Sequence, residues 1–111
     1  MKHNQSFSGA MTECTRMFRG HLASIHSHSV NEKLRRAVSY THQDQVWVGG
    51  ITSSLGGRTI SYWVDHTIWN YSNWANGNPR RSGHTCVALC SADGLWRSFD
   101  CPDSLPFICK Y

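Results

Sequence analysis

Cationic side chains in the second half of the chain offer the clearest chemistry in this sequence. Arg80, Arg81 and Arg97 lie in the last third together with His84, and Arg58 precedes them. A guanidinium presents a planar fork of N–H donors that matches the oxygens of a sulfate or a carboxylate. These side chains would bind an anionic group if the fold gathered them on one face, and would otherwise be solvated surface charges.

Residue types suited to other chemistry are present but lack the arrangement it needs. His26 and His28 resemble a metal-binding pair, yet no partner ligands stand at metal-site spacing. Asp100 and Asp103 flank Cys101 without an acid–base counterpart, and no Gly-x-Ser-x-Gly nucleophile motif occurs. No groove-reading helix or RNA-binding signature is visible. The sequence therefore predicts a binding module with no catalytic residue, no metal, no cofactor and no sequence-specific nucleic-acid partner.

Length and charge limit the class of protein and its partners. The 111 residues are enough for one small domain. The formal net charge is +4 at pH 7, and the seven histidines would add to it at acidic pH. This mildly basic balance is compatible with anionic partners. Lys33, Arg35 and Arg36 form a second basic group, which we expect to be a solvated helix face.

Five cysteines in so short a chain favour an oxidising compartment. No apolar run is long enough to span a membrane, and residues 1–4 are too polar for the core of a signal peptide. We therefore expect either an artificial start at Met1 or a missing upstream precursor segment. Two N-glycosylation sequons occur, Asn4-Gln5-Ser6 and Asn70-Tyr71-Ser72. Because Asn70 lies between aromatic residues expected in the core, no glycan is expected there.

Hydrophobic periodicity predicts two helices ahead of most of these arginines. The first spans residues 7–19, and the second begins at Ser29, which forms a capping-box pattern with Glu32, and ends near Ser39. The residues expected to face inward are Ala10, Cys14 and Met17 in the first helix and Val30, Leu34 and Val38 in the second.

Short apolar runs predict an antiparallel sheet. The expected strands are residues 46–50, 62–65, 86–89, 95–99 and 106–110, with a short buried segment at 22–25. Residues 51–60 would form a loop or a hairpin. Residues 66–85 show no period, and the interleaved Trp69, Tyr71 and Trp74 favour a packed loop. The predicted architecture is α+β, with two helices, a small antiparallel sheet and one long irregular loop.

Several motifs occur in an order that resembles the C-type lectin-like domain. They are Trp47-Val48-Gly49, Trp63-Val64-Asp65, Asn73-Trp74, Cys86-Val87, Trp96, Cys101 and Phe107-Ile108-Cys109. The resemblance covers nearly the whole chain and implies a single, disulfide-stapled domain over residues 1–111. It implies the disulfide bonds Cys14–Cys109 and Cys86–Cys101. Cys90 is left as an unpaired buried thiol, with an intermolecular bridge or a reactive thiol as the alternative.

The calcium-binding triplets of that family are altered in this chain. The family uses Glu-Pro-Asn or Gln-Pro-Asp in the long loop and Trp-Asn-Asp near the end; the matching segments here are Asn78-Pro79-Arg80 and Trp96-Arg97-Ser98. Calcium takes six to eight oxygen ligands, whereas a guanidinium only donates hydrogen bonds and repels a cation. The resemblance thus implies that Arg80, Arg81 and Arg97 converge at a lost calcium site. His84 would lie close by, and Arg58 would flank it.

Within the family, the sequence is most similar to the eosinophil granule major basic protein (bone marrow proteoglycan) group. The shared segments are Arg19-Gly20, Leu22-Ala23-Ser24-Ile25-His26, residues 45–52, Gly83-His84 and residues 86–90. This resemblance implies calcium-independent binding of sulfated glycosaminoglycans such as heparin or heparan sulfate. It also implies a secreted granule protein of innate defence, often cut from an acidic precursor and able to damage membranes. The namesake of the group is extremely basic, so a charge of +4 does not favour membrane damage.

Two other functions are compatible with the same scaffold. One is a protein–protein recognition domain with a protein receptor and no glycan ligand. The other, which the altered triplets disfavour, is a calcium-dependent lectin with atypical ligands. Family members usually carry a strand ahead of the first helix, and only residues 1–6 stand there. The sheet edge beside the C-terminal strand would then be open, which favours dimerisation.

Overall fold

Two helices and six strands form the fold in the computed structural model, which describes residues 4–18, 20–40, 44–55, 58–79 and 83–110. In chain order the elements are α1 (Phe7–Phe18), β1 (His21–Leu22), α2 (His28–Tyr40), β2 (Gln45–Leu55), β3 (Arg58–Trp63), β4 (Gly83–Cys90), β5 (Trp96–Phe99) and β6 (Cys109–Lys110). Strands β1 and β6 form one antiparallel pair. The other four form an antiparallel sheet in the order β3-β2-β4-β5. The α+β class predicted from the sequence is confirmed.

Two glycines allow the central strand β2 to pack closely against its neighbours. Gly49 and Gly50 lie at an irregularity in the register between β2 and β4. A Cβ atom on Gly49 would stand 2.8 Å from the carbonyl oxygen of Leu22, and one on Gly50 would stand 2.8 Å from a methyl group of Val87. A larger residue at either position would therefore push β1 or β4 away from β2.

The strand boundaries differ from the predicted ones in several places. Of the two predicted alternatives for residues 51–60, the hairpin is found, because the second half of β2 pairs antiparallel with β3, from Gly50 opposite Trp63 to Leu55 opposite Arg58. Val64 and Asp65 lie in a turn after β3 and not in the predicted strand. Strand β4 starts at Gly83, inside the stretch predicted to be irregular. Only two of residues 106–110 belong to β6, and of the residues before it Phe107 forms an isolated bridge to Trp47 in β2.

Helix α1 turns an apolar stripe toward the sheet. Phe7, Ala10 and Cys14 recur at helical spacing and are at most 3% exposed. The helix runs to Phe18, and Arg19, the last residue of the predicted helix, lies outside the described ranges. The predicted inward position of Met17 falls on a side chain that is likewise outside the described part. The inward positions of Ala10 and Cys14 are confirmed.

Helix α2 begins earlier than predicted because Ser27 caps it. The Oγ atom of Ser27 accepts a hydrogen bond from the N–H of Val30 at 3.3 Å, as an N-cap residue does. The predicted capping box of Ser29 and Glu32 is therefore wrong. The Glu32 carboxylate instead pairs with the guanidinium of Arg35 at 3.1 Å.

The inward face of α2 contains a buried amide. Val30, predicted to face inward, is 36% exposed, whereas its neighbour Asn31 is fully buried. Leu34 and Val38 pack on the core as predicted. The Nε1–H of Trp96 donates to Asn31 Oδ1 at 2.6 Å, and Asn31 Nδ2 donates at 2.9 Å to a carbonyl in the turn before β5. These bonds satisfy buried polar atoms and attach α2 to that turn.

Two disulfide bonds cross-link the elements, with the pairing that the family resemblance implies. Cys14–Cys109 joins α1 to β6, and Cys86–Cys101 joins β4 to the segment after β5; their Cα atoms are 5.5 and 5.2 Å apart. The first pair is separated by 95 positions, so in the loop-closure model it contributes on the order of 4–5 kcal/mol through the unfolded state. Cys90 is buried and forms no disulfide.

The segment before α1 contributes one β-bridge. The N–H of Gln5 donates to the carbonyl of Leu105 at 2.9 Å, and the N–H of Leu105 donates back at 3.0 Å. Within the described ranges, the segment before α1 forms this bridge and no strand. Among the helices described, none is long and apolar enough to cross a membrane.

The long loop between β3 and β4 is packed by aromatic rings. Trp69 stacks between Trp63 and Trp74, with ring centroids 4.3 and 6.0 Å away. Tyr71 meets the buried Trp96 edge-on at 5.8 Å. The prediction of a packed loop is confirmed, and these rings extend the core under the loop.

Candidate functional site

The two segments that the resemblance assigns to a calcium site adjoin at β5. The N–H of Ser98 donates a hydrogen bond to Asn78 Oδ1 at 2.9 Å. The N–H of Ala75 donates to the carbonyl of Trp96 at 3.0 Å, and the N–H of Trp96 donates to the carbonyl of Asn73 at 2.8 Å. The loop is thus bound along β5, which brings the two altered triplets together.

Arg97 is already paired with a carboxylate in the turn between β4 and β5. Its Nη2 atom lies 2.9 Å from Asp93 Oδ2 and its Nη1 atom 3.3 Å from Oδ1, and both side chains are 37% exposed. Hydrogen bonds from Arg97 lower the pKa of Asp93. The bond to Asp93 and the nearby thiol of Cys90 raise the pKa of Arg97. An incoming anion must therefore compete with Asp93 for this guanidinium.

The described side chains of these segments fit a calcium ion poorly. Asn78 Oδ1 is held by a backbone N–H, while its Nδ2 donates to the carbonyl of Asn76 at 3.2 Å. The second segment contributes the positive charge of Arg97, which lies next to Ser98 in the chain and pairs with Asp93. In the described part of the chain, no three His, Cys, Asp or Glu side chains are grouped so as to hold a metal. The arrangement offers N–H donors where calcium requires oxygen ligands.

His84 is not beside Arg97 in the sheet. It is exposed on β4, four residues before Ala88, which is the residue that pairs with Arg97. At about 3.4 Å per residue and 4.8 Å between strands, the two backbones are about 14 Å apart. Arg80 and Arg81, the other predicted donors of this cluster, lie outside the described residues.

Arg58 lies still farther from Arg97. It begins β3, the opposite edge strand, where it pairs with Leu55 near the turn of the hairpin. The register displaces Arg58 from Arg97 by about six residues along the strand direction. Three strand spacings also separate the two edge strands. The backbones are therefore about 25 Å apart. The structure does not bring Arg58 to the flank of Arg97.

Helix α2 brings a second cationic group to the turn that carries Arg97. The Nε of Arg35 donates to the carbonyl of Ser91 at 3.2 Å, and its Nη2 donates to the carbonyl of Ala92 at 3.3 Å. A groove of about 380 Å³ beside this turn is lined by Arg35, Arg36, Ser39, Tyr40 and Ser91. The Tyr40 side chain is 87% exposed. The sequence analysis treats Arg35 and Arg36 as part of a solvated helix face, but Arg35 binds this turn. The surface could not be found from sequence because its two parts are far apart in the chain and share no local pattern.

A buried serine joins three polar side chains beside β1. Ser24, 3% exposed, donates to Asp65 Oδ2 at 2.6 Å and accepts from Lys110 Nζ at 2.6 Å. His26 Nε2 lies 3.2 Å from Ser24 Oγ, and its Nδ1 lies 2.8 Å from Asn70 Oδ1. The carboxylate contacts the serine and not the histidine, and the serine is out of reach of a substrate. The geometry therefore differs from that of a nucleophilic triad.

The carboxylate of Asp65 is charged at neutral pH in spite of its burial. Its side chain is 5% exposed, and Lys110 Nζ lies 3.0 Å away. Burial by itself would raise the pKa of Asp65, but hydrogen bonds from Ser24, Thr67 and Lys110 together hold that pKa well below its usual range. The network therefore attaches β6 to the segments that follow β1 and β3.

Comparison with known sequences gives a consistent result. A family profile described as "Lectin C-type domain" matches residues 3–111. The chain is 43% identical over 107 residues to bone marrow proteoglycan of Homo sapiens, and the alignment covers 96% of this chain and 48% of that protein. It is 39% identical over 109 residues to eosinophil granule major basic protein 2 of Cavia porcellus. That alignment covers 96% of this chain and 47% of the relative. The chain spans about half the length of these curated relatives.

Solved structures agree with the sequence comparison. The carbohydrate-recognition domain of mouse scavenger receptor C-type lectin superposes with a TM-score of 0.81 at 25% identity, covering 98% of this chain and 82% of that one. A calcium-independent type II antifreeze protein superposes with a TM-score of 0.81 at 26% identity, covering 96% and 78%. The fold that the sequence motifs predict is confirmed.

Proposed function

Because the chain belongs to the C-type lectin domain family, we propose that it is a non-enzymatic binding module that recognises sulfated or other anionic glycans without calcium. One observation carries the proposal. At the family's calcium positions the chain presents the guanidinium of Arg97 and an Asn78 oxygen already bound by a backbone N–H. N–H donors suit sulfate and carboxylate oxygens, whereas calcium needs oxygen ligands.

The ligand would lie across the turn between β4 and β5 and along the groove beside α2. Arg97 stands in the strand that follows this turn, and Arg36 and the exposed Tyr40 line the groove. Arg80 and Arg81 are retained as further donors because they directly follow the loop segment that is bound to β5. A chain of heparin or heparan sulfate carries repeated anionic groups and therefore suits donors that are spread along a surface.

The compartment proposed is outside the cell or in a secretory granule, with a role in innate defence. Two disulfide bonds are typical of an oxidising compartment, and one relative is named as an eosinophil granule protein. Protonation of histidines in an acidic granule would increase the net charge above +4. Affinity for a polyanion should therefore increase as the pH falls.

Elution from immobilised heparin on a salt gradient tests the proposal. The wild-type protein should elute above physiological salt, at the same position with calcium and with a chelator. Replacing Arg36 and Arg97 together by Ala should give earlier elution. The slope of log Kd against log salt should also become shallower, by roughly one unit for each lost contact. The matched control replaces the exposed Arg16 and Arg58 by Ala, which removes equal charge elsewhere and should have little effect.

Three results would contradict the proposal: flow-through at physiological salt, elution that depends on calcium, or equal shifts from the two double variants. A calcium-dependent lectin with atypical ligands would instead show a melting temperature that rises with added calcium, since a ligand that binds only the folded state stabilises it.

A protein–protein recognition domain is the second candidate, and exposed apolar side chains favour it. Ile60 is 59% exposed and Tyr62 is 47% exposed on the edge strand β3, and Ile68 in the following loop is 78% exposed. An edge strand with such side chains favours pairing with another chain, including a second copy.

Sedimentation of wild-type protein and of Ile60→Asp tests this candidate. A dimer in the wild type alone would support it, and monomers in both would count against self-association.

A further inference from the structure

The long loop carries a motif that the proposed binding surface does not use. Asn70-Tyr71-Ser72 is a sequon, the triplet at which N-linked glycans are attached. The aromatic neighbours argue against its use as long as only the sequence is considered. In the structure the chain alternates here: Asn70 and Ser72 are exposed, whereas Tyr71 packs against the core. The aromatic neighbours are thus partly buried in the core without burying Asn70.

The Asn70 amide is held in a suitable orientation. Its Oδ1 atom lies 2.8 Å from Nδ1 of His26, so its Nδ2 atom is on the other side of the amide group. A glycan is attached through Nδ2 and leaves Oδ1 able to accept a hydrogen bond. The contact with His26 is therefore compatible with a modified Asn70.

The backbone around the sequon and the disulfide bonds are also consistent with modification. Residues 66–73 lie in no helix or strand, and Ser72 Oγ accepts a hydrogen bond from Trp69 Nε1 at 2.7 Å on the exposed side. Cys14–Cys109 and Cys86–Cys101 are bonds of the kind that form in the oxidising lumen, where N-linked glycans are also transferred.

We propose that Asn70 carries an N-linked glycan. In this transfer the Asn70 Nδ2 atom forms a bond to the anomeric carbon of a lipid-diphosphate-linked oligosaccharide. The bond from that carbon to the diphosphate breaks, the lipid diphosphate leaves, and the nitrogen loses one proton. The proposal requires passage through the secretory lumen, which is part of the proposed function.

Expression in mammalian cells behind a heterologous signal peptide tests the proposal. That peptide delivers the chain to the lumen whatever its native route, so a negative result is separate from a failure of the proposed secretion. Both the cell-associated and the secreted pools are treated with peptide N-glycosidase and examined by gel mobility and mass spectrometry. We expect a slower band that the enzyme removes, with conversion of Asn70 to aspartate.

Three variants assign the modified residue. Asn70→Gln and Ser72→Ala should both abolish the Asn70-linked shift, and Ser72→Ala does so while keeping the asparagine that contacts His26. Asn4→Gln removes the other sequon, whose asparagine is also exposed, and should leave the glycan on Asn70. The absence of a shift in both pools, or a shift that Asn4→Gln alone abolishes, would overturn the proposal.

Discussion

The side-chain oxygen of Asn78 and the backbone N–H of Ser98 are joined by a 2.9 Å hydrogen bond that fixes the long loop to β5. The family resemblance places calcium ligands in the two segments to which these residues belong. Here the segments bind each other directly. A hydrogen bond within the protein thus links the two segments.

Asn78→Ala removes this connection and leaves the N–H of Ser98 without its acceptor. We expect a loss of about 1–2 kcal/mol in the free energy of unfolding, because the partly buried N–H of Ser98 would have neither water nor a protein acceptor to bind. Thermal unfolding measures the change, and added calcium should not restore it. Asn76→Ala in the exposed turn is the control; an equal loss there would contradict the assigned role of Asn78.

Asp93→Asn should strengthen binding to heparin. The change removes the charge that neutralises Arg97 but keeps an oxygen for the N–H of Leu95, which now donates to Asp93 at 3.0 Å. Elution on the salt gradient should move to higher salt. The slope of log Kd against log salt should become steeper by roughly one unit, as for one further phosphate-like contact. Asp103→Asn alters the net charge equally at an exposed site outside the turn. If both variants shift elution alike, net charge and not Arg97 determines the binding.

Asp65 should make the stability of the fold sensitive to acid. Its pKa in the folded protein lies below the ordinary value of 3.8, so the unfolded chain takes up the proton first as the pH falls. The contribution of the carboxylate is therefore complete above about pH 4 and is lost progressively below it. Denaturant unfolding between about pH 2 and 6 should show a steeper loss for the wild type than for Asp65→Asn. Asp103→Asn should keep the wild-type slope, and a parallel profile for Asp65→Asn would contradict this prediction.

Cys90 should be unreactive in the folded protein. The residue is 5% exposed, and burial raises the pKa of its thiol, although Arg97 acts in the opposite direction. Little thiolate is then present at neutral pH, and access is restricted. Mass spectrometry after alkylation should show slow modification of native protein and one modified thiol after denaturation without reductant. Rapid native modification, or a dimer that reductant separates, would show that Cys90 is accessible.

Several features of the fold followed from local residue types and chain order. The apolar spacing of Ala10 and Cys14 predicts the buried face of α1 because helical geometry repeats every 3.6 residues. The interleaved Trp69 and Tyr71 predict a packed loop, since such large apolar surfaces are seldom left in water. The ordered motifs identify the family, and with it the disulfide pairing. The first two features depend on positions close together in the chain, whereas the disulfide pairing follows from the order of motifs along its whole length.

Other features depend on which distant segments meet. The start of α2 differs from the predicted one because both Ser27 and Ser29 can cap a helix. The helix that begins after Ser27 buries Asn31, which bonds to Trp96 and to the turn before it. The exposure of Asn70 likewise depends on how its aromatic neighbours pack.

The sequence by itself determined that Asn78-Pro79-Arg80 and Trp96-Arg97-Ser98 stand where the family resemblance implies calcium triplets. Only the tertiary structure decided that Arg97 is neutralised by Asp93, that Arg35 binds the turn beside it and that Arg58 is remote. The physical reason is that ion pairs and hydrogen bonds act over a few ångströms. Strand register and side-chain rotamers set which charges meet at that range, and neither can be derived from residue type alone.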